Sequence, residues 1–120
     1  EKFKLYINDT GILCQLTDTK NYEIMYENTY PHQDILLETY VANELTKLKL
    51  PLYYWTRKGE KKGNSELDFL IQINTQIIPV EVKADNKTRS KSLSVYAVFC
   101  LPLLKEKEEL KRRQKSKINV

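Results

Sequence analysis

A chain of 120 residues that is 41% apolar suits one domain with a modest core, and a charged fraction of 30% with both signs present argues for a soluble globular protein rather than a disordered one. Its formal net charge of +4 and pI near 9.0 favour an anionic partner without specifying one. The longest apolar run, VYAVFCLPLL, is about half a membrane span and contains Pro102, and no glycine precedes a lysine. These features argue against a membrane helix and a phosphate-binding loop for ATP.

In chain order, FKLYIND carries apolar residues at alternating positions and reads as a short strand. Its charged start, EKFKLYIND, lacks the pattern of a secretory signal. Asp9 or Thr10 is placed to cap a short helical turn over DTGILCQL. TDTKNYEIMYENTY is polar, rich in tyrosine and without a clear period, and is expected to be mostly loop. His32, the single histidine, follows Pro31 as a loop residue and excludes a histidine-rich metal site. A helix is predicted from Gln33 to Leu48, with Leu37, Val41, Leu45 and Leu48 as one buried stripe and Pro51 beyond its end. LPLYYWTRKG reads as an aromatic strand, followed by the basic loop RKGEKKGNS.

Two strands then flank Asn74 and Thr75, a pair suited to a two-residue hairpin turn. KADNKTRSKS is a second basic segment, LSVYAVFCL a further strand candidate, and residues 105–120 a polar tail of helical propensity. Cys14 and Cys100 lie far apart among apolar neighbours, as buried, reduced thiols in a cytoplasmic protein would.

The hairpin carries charges in segments that otherwise want a core. A two-residue turn sets Ile73 opposite Gln76, Ile71 opposite Ile78 and Phe69 opposite Val80. Continuing outward, Asp68 meets Glu81 and Glu66 meets Lys83. Alternation puts Leu67, Phe69, Ile71, Ile73, Ile78, Val80 and Val82 on the core face, and Glu66, Asp68, Glu81 and Lys83 on the other. Facing carboxylates repel, and a divalent cation between them would remove that cost, because Mg²⁺ takes oxygen ligands from one or two carboxylates plus water and phosphate. The alternative is a solvated face with a Glu66–Lys83 cross-strand ion pair, and an odd-length loop would break the register altogether. Glu38 borders the helical stripe and can supply a third acid. Glu44 lies nearer its middle, where burial would be costly without a partner.

The ordered set of a helical Glu38, a strand Asp68, a hairpin and Glu81-Val82-Lys83 resembles the PD-(D/E)XK nuclease superfamily. KLYINDTGIL, ETYVANEL, PLYYW, SELDFLI and IIPVEVKADNKTRSKSL together are similar to the C-terminal domain of a large prokaryotic family of AAA+ ATPases, a domain of unknown function considered nuclease-like. The resemblance spans roughly Lys2 to Leu93. It implies an α/β, restriction-endonuclease-like mixed sheet flanked by helices, shortened after residue 93. Residues 1–104 would form the nuclease-like domain, cut from a larger ATPase, with 105–120 as its tail.

Asp68 and Glu81 would hold Mg²⁺ or Mn²⁺, with the Val82 carbonyl as an added oxygen. Lys83 would match the catalytic lysine, and Glu38 would orient water or bind a second ion. DNA phosphates would meet Arg57, Lys58, Lys61, Lys62, Lys87, Arg89 and Lys91. Tyr53, Tyr54 and Trp55 would stack on bases or, as is commoner for such residues, pack in the core. Other readings of the same chain are a module that binds DNA or its own ATPase without catalysis, and a self-association surface.

Overall fold

A computed structural model describes residues 2–59, 63–84 and 90–100. The fold is mixed α/β: helices α1 (Thr10–Leu16), α2 (Asn21–Tyr26) and α3 (Gln33–Lys47), strands β1 (Tyr53–Arg57), β2 (Ser65–Ile73) and β3 (Gln76–Val80), and helix α4 (Lys91–Phe99). The strands form one three-stranded sheet in the order β1-β2-β3. By its internal contacts the chain divides into two units, Glu1–Trp55 with Leu67–Thr88, and Thr56–Glu66 with Arg89–Val120. The expected 105–120 tail lies outside the described residues.

The first unit is centred on β2. Leu67, Phe69 and Ile71 point to one face and are buried, as period two requires. Leu13 of α1 and Thr39 and Ala42 of α3 are also buried. Asp9 starts α1, its Oδ1 accepting from the backbone N–H of Gly11 at 2.7 Å and of Ile12 at 3.2 Å.

The α3 helix begins after His32, which adopts φ 61°, and ends where Lys49 turns left-handed at φ 57°, its N–H bonded to Thr46 O at 2.9 Å. The leucine stripe is therefore not what α3 buries. Leu37, Val41 and Leu45 are half-buried and Leu48 is 68% exposed, whereas Thr39 is 4% and Ala42 1% exposed. Small side chains permit close approach, and α1 packs against this helix. Glu44 sits at an exposed edge, bonded to Lys47 at 2.5 Å, so its feared burial does not arise.

The β2–β3 hairpin has the expected antiparallel register, Phe69 opposite Val80, Ile71 opposite Ile78 and Ile73 opposite Gln76. Asn74 supplies the positive φ, 55°, that the turn needs. Pro79 is tolerated because β3 is an edge strand. Ile73 departs from the expected core face: beside the turn it is 45% exposed.

The predicted pairing fails at one end. β3 stops at Val80, so Asp68–Glu81 and Glu66–Lys83 are not ladder pairs. The physical reason is local. Asp68 Oδ2 accepts the Val82 N–H at 2.8 Å, so a side chain takes the donor that a longer ladder would have used.

Other segments also differ from the sequence-based expectation. FKLYIND is irregular rather than a strand. The TDTKNYEIMYENTY stretch contains α2, where Glu23 Oε2 accepts the Lys20 N–H at 2.6 Å and satisfies an end of the helix. Of LSVYAVFCL, residues 93–99 are not a strand but most of α4, in the second unit, and Leu101 lies outside the described residues. Ser90 decides this: its Oγ accepts the Leu93 N–H at 3.2 Å, an N-cap that makes a helix of an apolar run too short for periodicity to classify. The second unit buries Tyr96, 3% exposed, and Ser65, 6% exposed. Both cysteines are free and half-buried rather than buried. Burial pushes the Cys100 thiol up, against an opposing pull from Arg57. Among the described residues, no helix is long and apolar enough to cross a membrane.

Candidate functional site

Glu38, Asp68, Glu81 and Lys83 line one cavity of about 480 Å³, together with Thr29, Gln33, Asp34, Val82 and Ala84. All belong to the first unit. The convergence expected from the sequence is met, by a route other than the ladder. Asp68 comes from the middle of β2. Glu81 and Lys83 come from the irregular chain just past β3, held near β2 by the Val82 N–H to Asp68 Oδ2 bond. Asp34 and Glu38 come from the same face of α3, four residues apart.

Glu81 is the most deeply placed acid. Its side chain is 8% exposed, and Oε1 lies 2.9 Å from the Lys83 ammonium. Its other oxygen, Oε2, is buried without a hydrogen-bond partner. An orphaned carboxylate oxygen costs about 1–3 kcal/mol or more, so a cation or donor arriving there would be favoured.

Asp68 has its carboxyl pushed above the ordinary range, first by burial and then by the neighbouring Glu38 and Glu81 charges. The Val82 N–H and the Lys4 ammonium act in the opposite direction. Mutual repulsion among the acids contributes to this rise. Desolvation is the larger cause.

Sequence reasoning missed Lys4 and Tyr6. The Lys4 ammonium lies 3.1 Å from Glu38 Oε1 and 4.0 Å from Asp68 Oδ1, and 5.5 Å from the centre of the Tyr54 ring. The Tyr6 hydroxyl donates to the same Glu38 oxygen at 2.5 Å, and its ring meets Phe69 with centroids 5.6 Å apart. Glu38 is therefore committed to the N-terminal segment. Asn43 Nδ2 adds a bond to Ile7 O at 3.1 Å. The signal was present in the alternation of KFKLYI, but Lys4 and Tyr6 of its polar half turn inward: both are half-buried, while Phe3 is 73% and Leu5 85% exposed.

Among the described residues, no group of three or more His, Cys, Asp or Glu is arranged to hold one ion. A three-acid cage is thus not formed. Asp68 and Glu81, one with a raised pKa and one with an orphaned oxygen, do suit a hard cation that takes two carboxylates and completes its shell with water or phosphate.

Of the expected phosphate contacts, Arg57 ends β1, Lys58 follows it and Lys91 opens α4. All are exposed and belong to the second unit. Lys61, Lys62, Lys87 and Arg89 lie outside the described residues. Tyr53 is 57% exposed, and Tyr54 and Trp55 are half-buried.

In comparisons with known proteins, neither a curated protein nor a solved structure matches the chain. A family model described as "Domain of unknown function (DUF4143)" matches residues 33–117. The match takes in Glu38, Asp68, Glu81 and Lys83 and begins after Lys4 and Tyr6. The chain belongs to this DUF4143 family.

Proposed function

We propose that this domain holds Mg²⁺ or Mn²⁺ on Asp68 and Glu81 and hydrolyses phosphodiester bonds in DNA, as the nuclease-like, restriction-endonuclease-like C-terminal domain of a cytoplasmic AAA+ ATPase. The observation that carries this reading is the orphaned oxygen of buried Glu81, in one cavity with Asp68 and Lys83. A divalent ion bound there would polarise the phosphate and acidify a water. Asp68 is already oriented by the Val82 N–H. Lys83, 44% exposed and anchored on Glu81, supplies positive charge for a phosphate as its charge develops. Arg57, Lys58, Lys61, Lys62, Lys87, Arg89 and Lys91 are assigned to the DNA backbone in this reading.

One observation favours a second reading, a module that binds DNA or its ATPase without cutting. The Lys4 ammonium already offsets Glu38 and lies near Asp68, so part of the acid charge is neutralised from within.

Metal titration followed by melting and by Trp55 fluorescence separates the two. A bound ion at a hundredfold excess over its Kd stabilises by about 2.7 kcal/mol, and the gain should vanish in Asp68→Ala. Mn²⁺-dependent cleavage of DNA that Lys83→Ala abolishes supports the nuclease. Metal binding without such cleavage leaves the non-catalytic module, and no response at millimolar metal removes the metal site as well.

A further inference from the structure

Lys4 borders the site with its ammonium against Glu38 and Asp68, the second of which the proposed ion needs. It is 3.1 Å from Glu38 Oε1 and 4.0 Å from Asp68 Oδ1. Its own side chain is 21% exposed, so solvent screens this charge only in part. We infer that Lys4 is a tethered counter-cation, which a divalent ion must push aside to occupy Asp68 and Glu81. The inference rests on the metal reading of the site and adds its regulation by the N-terminal segment.

The geometry gives both the competition and the exit. Asp68 Oδ2 is engaged by the Val82 N–H, which leaves Oδ1, the oxygen nearest Lys4, for an incoming cation. Two cations on one carboxylate oxygen repel, so occupancy by one opposes the other. A second cavity of about 230 Å³ adjoins Asp68 and is lined by Lys4, Phe3, Tyr53 and Tyr54. The ammonium already sits 5.5 Å from the Tyr54 ring centre, and an aromatic face is a favourable resting place for it after displacement. Tyr6 keeps its own hydroxyl on Glu38, so the segment stays attached while Lys4 moves. Lys4 is a positioning residue in this scheme and takes no part in chemistry.

The test measures Mn²⁺ affinity by electron paramagnetic resonance in wild type, Lys4→Met and Lys4→Arg, with no nucleic acid present. Lys4→Met should bind about tenfold more tightly, which corresponds to about 1.4 kcal/mol, and Lys4→Arg should resemble wild type. Equal or weaker binding in Lys4→Met overturns the inference and leaves the metal reading intact. A measurement on the unaltered protein guards against a variant that misfolds: during a Mg²⁺ titration, the Lys4 side-chain NMR signals should shift with the Kd of the ion. Signals that stay still while Mg²⁺ binds also overturn it. If neither ion binds any form of the protein, the metal reading itself fails and the inference falls with it.

Discussion

Replacing Glu38 separates a structural anchor from a free active-site acid by the sign of the stability change. Glu38→Ala removes the acceptor of the Tyr6 hydroxyl and of the Lys4 ammonium. A hydrogen bond to a charged group is worth about 1.5–3 kcal/mol, and a partly exposed ion pair, here 21% and 26% exposed, adds at most about 1 kcal/mol. Against this stands relief for Asp68, which Glu38 repels. The net expectation is a loss of about 2 kcal/mol, or about 8 °C in Tm for a domain of this size. Glu38→Gln keeps an oxygen for Tyr6 and should lose about half as much. Thermal melting without metal, followed by Trp55 fluorescence and circular dichroism, measures both variants. A Tm that stays constant or rises in Glu38→Ala would mean that repulsion outweighs anchoring, and the tether argument would be refuted.

Asp68→Asn should stabilise the metal-free fold at neutral pH, because its amide oxygen can still accept the Val82 N–H while the charge is gone. The sign follows from linkage: a carboxyl raised in the folded state costs stability once ionised, and that cost fades as pH falls from the folded pKa towards 3.8. The Tm difference between variant and wild type should therefore shrink in acid, and a difference independent of pH would contradict it. Phe69→Ala, at 1% exposure in the centre of β2, should cost about 3–5 kcal/mol by denaturant titration. Ser90→Ala should lower stability by about 1 kcal/mol through loss of the α4 cap, visible as faster amide exchange at Leu93, and unchanged exchange would remove the capping argument. Exposed Phe3, Leu5, Leu16, Met25 and Tyr26 should make the isolated domain self-associate as concentration rises, and a strictly monodisperse monomer in light scattering would count against this.

Local rules determined the parts of this protein that depend on neighbours in sequence. The bounds of α3, the Asn74–Thr75 turn and the register from Ile73–Gln76 to Phe69–Val80 follow from helical periodicity, turn chemistry and period two. The grouping of Glu38, Asp68, Glu81 and Lys83 was legible through motif order, although the ladder pairs expected to deliver it do not form. Tertiary structure decided what depends on which surface meets which. It buried Thr39 and Ala42 where the leucine stripe was expected. It ended β3 at Val80, because the Asp68 carboxylate captured a backbone donor. It also chose the face of the N-terminal segment. Alternation in KFKLYI is visible in the sequence, but alternation cannot say which half turns inward. Partly buried carboxylates at Glu38 and Asp68 need donors more than the exposed Phe3 and Leu5 need a core, so Lys4 and Tyr6 face the site.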